Sequence, residues 1–74
     1  MSKLQMLYHL NLGIVNATVR DNIFLETTTT KALNNYYGFE DLRTQAIKMI
    51  ESNNYKGLIN TLNELYKEVE STIK

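Results

Sequence analysis

The chain contains no cysteine, no proline, no tryptophan and a single histidine. Without cysteine there is neither a disulfide nor a thiolate zinc site to staple a small fold, and His9 alone cannot assemble a metal site. The three glycines, Gly13, Gly38 and Gly57, stand far apart and form neither a P-loop nor a dinucleotide-binding fingerprint. No apolar run reaches the roughly eighteen residues of a membrane span, and the N-terminus lacks the apolar stretch and small-residue cleavage site of a secretory signal. These absences predict a soluble, cytoplasmic protein with no membrane partner, no metal and no cofactor.

Net charge is absent too. Eight basic residues balance eight acidic ones, and the balance holds locally: Lys3, Arg20 and Lys31 face Asp21 and Glu26 in the first half of the chain. A neutral chain has no bulk field to draw it onto phosphate backbones or anionic lipid, so a nucleic-acid role would have to rest on a local patch.

What is present is a single domain's worth of apolar residues. A chain of 74 residues hides only about 60% of the surface its unfolded form exposes. With no covalent staple, self-association is the remaining source of stability, and a homo-oligomer is expected. Asparagine and threonine are plentiful, including the run Thr27 to Thr30, but apolar residues recur throughout and the chain should fold.

In the first half, Leu4, Met6, Tyr8, Leu10, Leu12 and Ile14 fall on alternate positions, the period of a half-buried strand. After Gly13 the alternation shifts to Val15, Ala17 and Val19, as a bulge or turn would produce, and Asp21 with Asn22 supplies turn chemistry. A long first helix fits as well, because Ser2, Gln5, His9, Gly13, Asn16 and Arg20 share one polar stripe at helical spacing. Asn11, Thr18, the interior glycine and the β-branched Ile14, Val15 and Val19 weigh towards strands.

The second half has helical spacing. A threonine of the run 27–30 can cap a short helix that stops at Gly38, taken as its left-handed terminus. Glu40 and Asp41 suit the start of the next helix, which presents Leu42, Ala46, Ile47 and Ile50 on one face. Asn54 can cap the last, whose stripe is Leu58, Leu62, Leu65, Val69 and Ile73. The expected fold is therefore α+β: a β-hairpin or meander over residues 3–27, packed on three helices near 29–37, 40–52 and 55–72. An all-helical bundle with a long first helix is the alternative.

Catalytic constellations are lacking. His9 has no nucleophile in a recognisable pattern beside it and reads as a solvated side chain. Glu64 and Glu68 lie on the polar side of the last helix and read as a solvated face. The most distinctive local feature is Tyr36, Tyr37 and Phe39 around Gly38, because adjacent tyrosines cannot both enter a small core and exposed tyrosine favours binding. These three, with Leu62, Tyr66 and Val69 of the long apolar stripe, are the expected contact residues for a protein partner. The resulting expectation is a non-enzymatic regulator or inhibitor, of the kind phages and other mobile elements encode.

Residues 20 to 52, read as a strand, a helix, the turn at Gly38 and Phe39, and a second helix with Arg43, Thr44, Gln45, Ala46 and Ile47, resemble the ribbon-helix-helix repressor family. The resemblance implies a strand that pairs across a dimer and enters the major groove, offering Arg20 and Asn22 to bases, with Lys31, Arg43 and Lys48 on phosphates. Glu40 and Asp41 depart from that pattern, since carboxylates there would repel the backbone. Residues Ala46 to Leu65 also resemble one helix-turn-helix unit of a tetratricopeptide array, although no second unit is evident in the sequence.

Overall fold

Ser2 and Gln5 start the first helix by reciprocal capping: the Gln5 amide donates to Ser2 Oγ at 3.1 Å, and the Ser2 amide donates to Gln5 Oε1 at 2.9 Å. The computed structural model describes residues 1–73, and its elements are α1 (Lys3–Thr18), α2 (Asn22–Asn34), α3 (Glu40–Glu51) and α4 (Tyr55–Thr72). Among the described residues there is no strand. The α+β expectation for residues 3–27 is thus overturned in favour of the all-helical bundle.

The misleading alternation has a simple origin. α1 carries two apolar stripes, one at Leu4, Tyr8 and Leu12 and another at Met6, Leu10 and Ile14, each stepping by a helical turn. Interleaved, they occupy every even position and mimic the period of a strand. Only the second stripe faces the core: Met6, Leu10 and Gly13 are buried, and Leu7, Ile14 and Ala17 pack beside them.

α2 begins at Asn22, well before the helix expected at 29–37. Its cap is Asp21, whose Oδ1 accepts the Phe24 amide at 3.0 Å, and the threonine run lies inside the helix. Gly38 is likewise not the left-handed residue: Phe39 is, at φ 53°, immediately before α3. At Gly38 the Tyr36 ring folds over the backbone and occupies the space a Cβ would need, so a larger residue there would displace that ring. The boundaries of α3 and α4, and the Asn54 cap, agree with the spacing; Asn54 Oδ1 accepts the Gly57 amide at 3.0 Å.

The four helices form two hairpins with the same turn. α1 ends with Arg20 left-handed at φ 65°, and α3 ends with Asn53 left-handed at φ 57°. In each case the next two amides fold back on the helix end: Arg20 and Asp21 donate to Ala17 and Asn16 carbonyls, and Asn53 and Asn54 donate to Ile50 and Met49 carbonyls. The residue after the left-handed one then caps the following helix, with Asp21 at φ −89°, ψ 77° and Asn54 at φ −87°, ψ 77°. Equivalent residues stand 33 positions apart in the sequence, a structural repeat that residue identities conceal. Burial repeats with it: Gly13 and Ala46, Leu25 and Leu58, Thr28 and Thr61, Thr29 and Leu62, Ala32 and Leu65 are all buried.

α1 packs closely on α2, and α4 closes the bundle against both α1 and α3. The core joins Met6 and Leu10 to Leu25, Leu33, Leu58, Leu62, Leu65 and Val69. Burial of each large side chain contributes about 1.5–3 kcal/mol. At Gly13 the first two helices meet so closely that an added Cβ would lie 3.1 Å from Thr29 Oγ1 and 3.3 Å from Leu25 Cδ1.

Candidate protein-binding surface

The aromatic residues at the α2–α3 connection divide between packing and solvent. Tyr36 and Phe39 are half-buried and stacked, with ring centroids 6.3 Å apart and planes 24° from parallel. Tyr37 is 78% exposed and lies under the Arg43 guanidinium, 5.7 Å from its centroid. Leu62 and Val69 are completely buried and belong to the core, so they present nothing to a partner. Tyr66 is half-buried beside Leu4, Leu7, Tyr8 and Asn11, where α1 and α4 frame a shallow hollow.

The residues offered for DNA do not assemble. Arg20 and Asn22 sit at the α1–α2 turn, Lys31 near the end of α2 and Lys48 on α3, all exposed. Arg43 is committed within the bundle: it donates to the Leu33 carbonyl at 3.1 Å, caps the end of α2 in doing so, and pairs with Glu40. The strand that the ribbon-helix-helix resemblance requires is absent, its residues being the α1–α2 turn and α2. His9 is half-buried with its ring edge-on to Tyr8, and among the described residues no three His, Cys, Asp or Glu side chains come together as a metal site. No helix among the described residues is long and apolar enough to cross a membrane.

The surface that stands out was not singled out in the sequence. Leu4, Tyr8, Val15 and Val19, spaced 4, 7 and 4 apart, share the outer face of α1 and are 65%, 65%, 52% and 68% exposed. Just across the turn, Ile23 and Phe24 are exposed as well. From residue 4 to residue 19 the chain contains no aspartate, glutamate, lysine or arginine. Single exposed apolar residues are ordinary, but an aligned, charge-free row of them on one helix is a patch. The signal was available: the polar stripe of α1 is narrow and uncharged, and its apolar residues spread over more of the helix than one core-facing side needs.

The second hairpin provides an internal comparison. At the 33-residue offset the positions of Tyr8, Val15, Val19 and Ile23 are occupied by Asp41, Lys48, Ser52 and Lys56, all exposed, while the position of Leu4 falls on the exposed Tyr37, ahead of α3. The same turn and the same burial pattern thus form with a charged outer face. The fold does not require apolar side chains at positions 8, 15, 19 and 23. Compared with protein-family models, curated proteins and solved structures, the chain finds no match.

Proposed function

We propose that this chain is a non-enzymatic protein-binding module, a small regulator or inhibitor, whose contact surface is the outer face of α1. The observation that carries the reading is the contrast between Val15 and Lys48, equivalent and solvent-facing positions of two like hairpins. Burial of large apolar side chains is the main favourable term in association, and this face offers them in a row without charges to desolvate. Tyr8 is the natural centre of such a contact: a large amphipathic ring, flanked by Leu4 and by Tyr66 at the edge of the hollow.

A photo-crosslinking amino acid placed at Tyr8 should yield discrete protein adducts in extract of the native host, and the same group at Lys48 should not. Equal labelling from both positions, or none from position 8, would remove the reading.

A further inference from the structure

We infer that the outer face of α1 takes a second copy of this chain, packed antiparallel across a two-fold axis that passes between Asn11 and Leu12. This rests on the proposed reading of the α1 face and names its partner. The argument starts from spacing. The steps of 4, 7 and 4 between Leu4, Tyr8, Val15 and Val19 read the same in both directions. Reversing the helix end over end therefore lays the stripe on itself, with Leu4 against the partner copy's Val19 and Tyr8 against its Val15. Tyrosine against valine and leucine against valine pair a larger side chain with a smaller one at each contact, the interdigitation a helix interface needs. A two-fold interface demands this self-complementarity, because each contact must occur twice.

Charge agrees. Pairing two copies brings like residues together, and any charge near the axis would meet its own image. Between Lys3 and Arg20 there is none; the like charges of Lys3 and the partner copy's Arg20 come opposite each other only at the two exposed ends of the seam, beside Asp21. Beside the axis stands Asn11, exposed, whose amide both donates and accepts and so can bond its own copy; a single polar residue in an apolar helix seam fixes register and orientation. Area agrees as well. Complete burial of the exposed parts of the four residues would remove roughly 500 Å² per copy, hence at most about 1,000 Å² for the pair, the threshold at which specific interfaces begin. An interface of that size gives a dimer that dissociates on dilution.

The chain has no cysteine, so introduced thiols report on the arrangement without interference. Positions 8 and 15 of one helix are about 10 Å apart along its axis, too far for a disulfide, which needs Cα atoms within about 7 Å. The antiparallel pair instead sets position 8 of one copy beside position 15 of the other. Sedimentation of the unmodified chain over a hundredfold range of concentration, on the order of micromolar to sub-millimolar, should show mass rising from 8.6 kDa towards twice that value. Mild oxidation of mixed Tyr8→Cys and Val15→Cys proteins should give disulfide-linked mixed dimers, with neither variant forming a dimer alone. Val15→Lys should keep the chain monomeric with an unchanged helical circular-dichroism spectrum, since position 48 already carries lysine in the same setting. Self-linking of Tyr8→Cys by itself would overturn the antiparallel register. A strictly monomeric chain at all concentrations would overturn the second copy as occupant; discrete adducts of another protein at position 8 would then leave the protein-binding reading standing, and a chain that sediments with lipid vesicles through this face would overturn both.

Discussion

The phenolic hydroxyl of Tyr55, in the first turn of α4, donates to the carboxylate of Glu26 on α2, the only side-chain to side-chain hydrogen bond among the described residues that joins the two hairpins. This bond holds the Tyr55 hydroxyl above its ordinary value of 10.0, with partial burial and the charge of Glu26 acting in the same direction. The folded state therefore keeps this proton more tightly than the unfolded one. Its stabilisation is complete below the unfolded value and is lost as pH rises through the raised one. Tyr55→Phe should lower the melting temperature by a few degrees at neutral pH. Melts taken at increasing alkaline pH should show the gap between variant and parent closing.

Arg43 is the other tie between hairpins, reaching from α3 to the Leu33 carbonyl at the end of α2 while pairing with Glu40 and covering Tyr37. Arg43→Ala should cost about 1–2 kcal/mol in urea denaturation, through the lost helix-end contact and the lost packing of its stem. Arg43→Lys should recover only part of that loss, because a single ammonium cannot serve a carbonyl and a carboxylate with the geometry of a planar fork.

Where α1 crosses α2, Thr29 Oγ1 is buried without a hydrogen-bond partner, pressed against the space above Gly13. Thr29→Val keeps the shape and removes the unpaired hydroxyl, and should stabilise the bundle by about 1 kcal/mol. Gly13→Val should do the reverse. Its Cβ alone would stand 3.1 Å from Thr29 Oγ1, and the added methyls would force the helices apart at about 1–3 kcal/mol. Chemical denaturation of the two variants should displace the midpoint in opposite directions.

The matching turns differ in one respect that can be measured. Left-handed backbone is carried by arginine at position 20 and by asparagine at position 53. Asparagine tolerates that conformation and arginine does not, the penalty being on the order of 1 kcal/mol. Arg20→Gly should therefore raise stability by up to about 1 kcal/mol, with Asn53→Gly giving only a few tenths. Equal gains would show that asparagine is no better placed than arginine.

How much of this was legible varied along the chain. α4 could be read from its spacing because it is amphipathic in the ordinary sense, with Leu58, Leu62, Leu65 and Val69 inside and Glu64, Lys67 and Glu68 outside. α3 was legible from Glu40 and Asp41 in its first turn. α1 was not, since its polar stripe is narrow and uncharged and its two apolar stripes fall together on even positions, the period of a strand. α2 was obscured by its threonines, which disfavour a helix interior by propensity; Thr28 and Thr29 are nonetheless buried there, where packing decides. The exposed apolar face of α1 was missed for a related reason. Leu62 and Val69 stood out because they formed a clean stripe, and such a stripe is what a domain hides.

The uncharged length of α1 also bears on how the protein is made. It leaves the ribosome ahead of α2, which in the folded chain shelters its inner side. With no charged gatekeeper between residues 4 and 19, the nascent helix is the part of the chain most exposed to mispairing with other emerging copies.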